Sequence, residues 1–179
     1  MLPTWILAGL ADWRCHRRSD IEHTAGTHEA LIHAAMMGEA GVPVLLGLFV
    51  EVNAGVLAMV LGALGLHQAT AAWDVAYAES HREVTAIEQH IHGVLEQAPA
   101  MAAATLMTLH WDQARALLPG TRDRPQFALQ PKRRPLSRLA QAVIIVSIVL
   151  LGVVPYTEEV LRCRKVSRSA LPQPKDGPR

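Results

Sequence analysis

The fold is decided by the stretch ALIHAAMMGEAGVPVLLGLFV (Ala30 to Val50), followed by EVN (Glu51 to Asn53) and AGVLAMVLGALGLHQATAAW (Ala54 to Trp73). Each apolar run has the length of about 20 residues that crosses a hydrocarbon layer at about 1.5 Å rise per residue. The intervening Glu51, Val52 and Asn53 leave room only for a tight antiparallel helical hairpin. Gly38, Gly41 and Pro43 interrupt the first run and predict a kink there.

Working outward, two further runs appear. Ala98 to Leu118 opens with Pro99 close to a helix first turn, and Leu139 to Val154 reaches spanning length if it continues through Tyr156. The stretch Met1 to Ala11 is apolar but short, no basic residue precedes it, and the charged run Asp12 to Arg18 follows at once. It is read as a retained half-span. The expected fold is therefore an all-α integral membrane protein with about four transmembrane helices plus this N-terminal half-span. Residues 1–161 form one helical transmembrane domain, and residues 162–179 form a basic disordered tail. Asp74 to Gln97 is polar and has no Gly or Pro before Gly93, so the second long helix is expected to continue out of the membrane through this segment. Residues 119–138, with five Gly and Pro positions, read as an irregular connection.

Half of the residues are hydrophobic, and 17 basic residues balance 16 acidic ones, which gives no electrostatic reason to expect nucleic acid. Cys15 and Cys163 stand alone, without metal or redox spacing. No Walker loop, nucleophile elbow, Rossmann fingerprint or H-E-x-x-H motif is present, which lowers hydrolase and nucleotide chemistry.

With four crossings, residues 12–29, residues 74–97 and the carboxyl tail lie on one side, opposite the loop 119–138. The balance of Lys and Arg puts that shared side in the cytoplasm. Eight of the nine histidines, all but His110, fall in two stretches that this parity puts together. An acid precedes a histidine by four residues in Asp12/His16, Glu29/His33 and Glu88/His92, a spacing that turns both side chains to one helix face. His67, Asp74, His81, Glu88 and His92 form one stripe on a continuous helix, and Glu22, Glu29 and His33 form a matching one. Facing each other, the stripes supply imidazole and carboxylate ligands, with His16 and His90 beside them. Such a set suits iron first, and zinc or manganese after it. Glu39 and His110 are intramembrane polar positions, where the default expectation is a functional role. Trp13, Trp73, Tyr77 and Trp111 read as interfacial anchors.

His28-Glu29-Ala30-Leu31-Ile32-His33 has an H-x4-H spacing, and Glu88-Gln89-His90-Ile91-His92 follows after a further span. In layout this resembles the membrane histidine-box oxygenases, the fatty-acid desaturase, hydroxylase and alkane monooxygenase group. The paired His-His of that group's other boxes is absent here. The resemblance implies two iron ions held by cytoplasmic histidines, His28, His33, His90 and His92 among them. It further implies an apolar substrate and a redox partner.

The expected function is a membrane-embedded metal-binding protein, a metal-dependent oxidoreductase acting on a lipid or other apolar substrate. Its partners would be the bilayer, that substrate, a redox protein and other copies of the chain, with no nucleic acid. A metal- or proton-coupled transporter using Glu39 and His110, and an accessory membrane subunit with incidental histidines, are the competing readings.

Overall fold

A computed structural model describes residues 1–120 and 126–170. Helix α1 (Leu2–Arg18) has Pro3 in its first turn, where no backbone donor is needed, and His16, Arg17 and Arg18 in its last turn, where cations complement the helix dipole. A 3-10 turn (Ile21–His23) follows. Asp20 at φ 49° and Gly26 at φ 69° supply the left-handed backbone that reverses the chain into α2 (Gly26–Phe49).

Helices α2 and α3 (Ala54–His81) form the expected hairpin, and Asn53 caps α3 by accepting the Val56 N–H at 3.0 Å. Helix α4 (Ala86–Leu109) and a short α5 (Trp111–Arg115) come next. The final helix is composite: α6 (Arg138–Ile148), a π-helical turn (Val149–Val153) and α7 (Val154–Ser169). Pro155 has no N–H to offer the carbonyl four residues back, and the π turn lies immediately before it.

Three helical stretches, Gly26–Phe49, Ala54–His81 and Arg138–Ser169, are long and apolar enough to cross a membrane. Their apolar side chains largely face outward: only 17%, 44% and 11% of the most apolar window of each is buried. A soluble bundle would turn those faces inward.

Several expectations are corrected. The second long helix does not run on through residue 97. It stops at His81, and Arg82 is extended at φ −153° and ψ 166°. Thr85 starts α4 by accepting the Glu88 N–H at 3.3 Å. Thr85-x-x-Glu88 is a capping-box spacing, which a search for interior Gly or Pro overlooks. Pro99 consequently lies inside α4 rather than opening a span, and the run 98–118 is split at His110. Helix α7 extends through Ser169 with Cys163 buried, so residues 162–169 are not a disordered tail. Residues 171–179 of that expected tail lie outside the described residues.

The described residues of the connection after α5, 116–120 and 126–137, are irregular, as expected, and the second of these stretches is fastened to the hairpin tip. Gly55 N–H donates to the Gln126 carbonyl at 2.9 Å, Asn53 Nδ2 to Ala128 O at 2.8 Å, and Lys132 N–H to Phe49 O at 2.9 Å. Lys132 Nζ also donates to Gly47 O. A Cβ on Gly55 would lie 2.8 Å from Phe127 Cα and 3.0 Å from its carbonyl oxygen. Gly55→Ala is therefore expected to destabilise the protein by about 1–3 kcal/mol. Gly62→Ala, which meets nothing within 4 Å, should be neutral or stabilising through helix propensity. Thermal unfolding of both variants in detergent checks this, and equal melting temperatures would contradict the loop docking.

Candidate metal centre

Two antiparallel helix pairs build the site. Packing of α1 on α4 brings Asp12 and His16 to Glu88 and His92, and packing of α2 on α3 brings Glu29 and His33 to Asp74. All seven side chains are buried. Within each group one ligand atom per residue lies within 4.8 Å of the others. The acid-x3-His spacing at Asp12/His16, Glu29/His33 and Glu88/His92 explains why acid and imidazole share a face in three of these helices.

In the first group His16 Nε2 lies 3.4 Å from Asp12 Oδ2 and 3.6 Å from Glu88 Oε1, and His92 Nε2 lies 3.0 Å from Asp12 Oδ1. In the second, His33 Nε2 lies 3.1 Å from Asp74 Oδ1 and 3.9 Å from Glu29 Oε1. Ligands on a tetrahedral ion with bonds of about 2.1 Å sit about 3.4 Å apart, a spacing that the two His16 distances match, while the His92–Asp12 and His33–Asp74 pairs are at hydrogen-bond distance.

The two groups are joined by Glu159 of α7. Its Oε2 is 2.9 Å from His16 Nδ1 and its Oε1 is 2.9 Å from His33 Nδ1. The two imidazoles stack with centroids 4.4 Å apart and an interplanar angle of 9°. Fixing both Nδ1 atoms on one carboxylate leaves both Nε2 atoms pointing into the ligand groups, the arrangement by which carboxylates orient metal-binding histidines. Arg82, in the break between α3 and α4, closes the other flank. Its Nη2 is 2.6 Å from Glu29 Oε1 and 2.5 Å from Glu88 Oε1. Tyr156 donates its hydroxyl to Asp12 Oδ2 at 3.1 Å.

Burial by itself would raise the Asp12 pKa, but His16 and the hydrogen bond to His92 hold it well below the ordinary carboxylate range. Burial would lower the His92 pKa, and Asp12 reverses this and raises it. For Arg82, burial also opposes the charge, and Glu29 and Glu88 raise the pKa regardless. Even so, His16 Nε2 and Glu88 Oε2 are buried and, among the described residues, make no hydrogen bond, while Asp12 Oδ1 and Asp74 Oδ1 have only the imidazoles of His92 and His33 at 3.0 and 3.1 Å. Buried polar atoms left without a hydrogen bond give the site capacity for an additional partner.

No protein-family model, curated protein or solved structure matches this chain. The geometry therefore carries the functional reading.

Of the ten residues expected as metal ligands, His16, Glu29, His33, Asp74, Glu88 and His92 come together. The other four do not. Glu22 pairs with Arg162 because it sits on the 3-10 turn rather than on α2. His81 is exposed at the end of α3, bonded to the Tyr77 carbonyl and stacked on that ring. His90 faces outward on α4. His67 is buried two turns from Asp74, against Glu39 at 3.5 Å. His110 lies at the α4–α5 break, with no place in the cluster. Of the histidine-box positions, His33 and His92 enter the cluster, while His28 and His90 stay outside it.

Sequence reasoning missed the roles of Arg82, Tyr156 and Glu159, and left Asp12 as one member of a spaced pair. Span parity already put the end of the last helix on the histidine side. The remaining signal for Glu159 is its i,i+3 phase with Tyr156, which separates it from Glu158, bonded instead to Trp13 at 3.0 Å.

Because Arg82 is 2% exposed and holds two buried carboxylates, Arg82→Met should lower stability by about 3–5 kcal/mol. Denaturant unfolding of the purified protein measures this. A loss below about 1 kcal/mol would show that the carboxylates do not depend on the guanidinium.

Proposed function

We propose that this chain is a multi-pass integral membrane metalloenzyme with a dinuclear site, an oxidoreductase acting on an apolar chain. The observation that carries the reading is the buried seven-ligand cluster together with the cavity on which it opens. Asp12, His33, Asp74, His92 and Tyr156 form one end of a cavity of about 530 Å³. Its walls continue along α1, α2 and the final helix through Leu2, Ile6, Met37, Val44, Leu45 and Ile145. At about 1.5 Å per residue, the stretch of α1 from Asp12 to Leu2 is about 15 Å long. An apolar cavity ending in convergent polar groups is the usual form of a small-molecule site.

Charge supports two ions. With metal bound the imidazoles would be neutral, and Arg82 would be the one full cation among Asp12, Glu29, Asp74, Glu88 and Glu159. Two divalent cations would neutralise the excess of four negative charges that this form carries. The nitrogen and oxygen donors, without sulfur, favour iron, with manganese or zinc next. Bound there, such ions would supply Lewis acidity and, for iron, activation of oxygen beside the cavity. Helices α1 to α4 and the final helix hold the ligands, Glu159 sets the imidazoles, Tyr156 holds Asp12, and the apolar walls keep water from the substrate. Oxidation of an apolar chain by oxygen also requires an electron donor, consistent with a redox partner at the cluster end.

A transport path is less well supported, because apart from the cluster end, His67 and Glu96 the cavity walls are largely Leu, Met, Val, Ile, Ala and Gly rather than a polar route.

Metal analysis of detergent-purified protein from metal-replete cells should give about two equivalents of transition metal per chain. Less than about a tenth of an equivalent would overturn the reading, and saturation at about one would overturn the dinuclear form. Glu159→Gln should keep the fold while weakening metal retention about 10- to 100-fold, since both imidazoles lose their orienting carboxylate. Competition with a chelator reads this directly, and unchanged retention would remove Glu159 from the site.

A further inference from the structure

Partway along the apolar cavity stands a polar group that the cluster does not use. His67 of α3 lines the cavity wall at 5% exposure, and among the described residues neither of its ring nitrogens makes a hydrogen bond. Glu39 of α2 lies behind it, with Oε2 3.5 Å from His67 Nδ1. Glu39 is itself held by Thr70, whose Oγ1 donates to Glu39 Oε1 at 2.8 Å. Ala71 and Val75 continue the same wall of α3 toward Asp74. A buried ring nitrogen with no partner, as Nε2 is among the described residues, carries a desolvation penalty that a packed apolar side chain would avoid, so its presence in a largely apolar wall calls for a ligand atom.

We propose that His67, backed by Glu39 and Thr70, is a binding station for a hydroxyl group of the substrate on an otherwise aliphatic chain. This rests on the reading of the cavity as the substrate site and names the substrate class. A neutral imidazole whose Nδ1–H faces Glu39 presents Nε2 as an acceptor for a hydroxyl. A free carboxylate is disfavoured there because it would face Glu39 across an apolar medium. The station also fixes position. His67 and Asp74 are seven residues apart on one helix, about 10 Å along the axis, so an oxygen at His67 puts a carbon about that far along the chain at the metal ligands. The substrate class is thus a mono-oxygenated straight-chain lipid, held by its oxygen and presented to the cluster at a distant carbon.

Equilibrium binding of tritiated 1-dodecanol to the protein in saturated phosphatidylcholine nanodiscs, corrected with empty discs, tests this. Dodecane and dodecanoate serve as competitors. Dodecanol should bind at least about tenfold tighter than either, the discrimination one satisfied buried hydrogen bond provides. His67→Leu should remove that preference while leaving dodecane binding and metal content unchanged. Glu39→Gln should keep dodecanol binding within about threefold and improve dodecanoate, because the repelling charge is gone. Equal competition by dodecane in the unaltered protein overturns the station, and so does an unaltered dodecanol affinity in His67→Leu. If His67→Leu does not fold, the comparison of the three ligands on the unaltered protein and on Glu39→Gln decides by itself. Metal content measured on the same samples separates the two readings. A dodecanol preference without metal leaves the station standing and removes the metalloenzyme, whereas metal without the preference does the reverse.

Discussion

The centre of this bundle is arranged around the problem of burying five carboxylates with one arginine and three histidines. Asp12, Glu29, Asp74, Glu88 and Glu159 come from five different helices and converge between them. In a low-dielectric interior, like charges at these separations repel strongly, so the helices can pack only if cations sit among the acids. Arg82 supplies one such cation, and to reach Glu29 and Glu88 it must leave the end of α3 in an extended conformation. The break between α3 and α4 is thus tied to the electrostatics of the centre. It also turns α4 onto α1 instead of letting it continue the axis of α3.

The apolar exterior and the polar centre follow from the same sequence pattern in different ways. On α2, α3 and the final helix, large apolar residues such as Val42, Met59, Val146 and Leu150 face outward, while small residues such as Ala30, Ala40, Ala71 and Ala78 are buried at the contacts. Small interfacial residues bring helices close, which lets short acidic side chains reach across. The cavity arises where this close packing is relaxed. The π turn of the final helix and Met37 of α2 both line it, and a Cβ added at Gly152 would come to 3.9 Å from the Met37 methyl.

Much of this was legible in the chain itself. Run length and the three-residue gap gave the α2–α3 hairpin. The acid-x3-His spacing picked out six of the seven clustered residues, because residues four apart share a helix face whatever the tertiary fold. What failed was the extension of that rule across a helix boundary. The stripe His67, Asp74, His81, Glu88 and His92 assumed one helix, and the cap at Thr85 ended it. His81 takes its place in the stripe from that continuous phase alone, and His90, drawn from the box Glu88 to His92, falls on the outer face of α4. Glu22 was lost for the same reason, at the turn before Gly26. Glu159 and Tyr156 could not be assigned from one-dimensional spacing, since their partners lie more than a hundred residues away in the chain.

One carboxylate grips two imidazoles through the same kind of ring nitrogen, and this gives α7 a mechanical role. If the final helix slides or rotates, Glu159 carries His16 and His33 with it, and both Nε2 atoms swing together. The two ligand groups are in that sense geared to each other through one side chain, although they belong to separate helix pairs. Whatever fills one group stiffens the grip on the other, so the two halves respond to a disturbance of the last helix as a single unit.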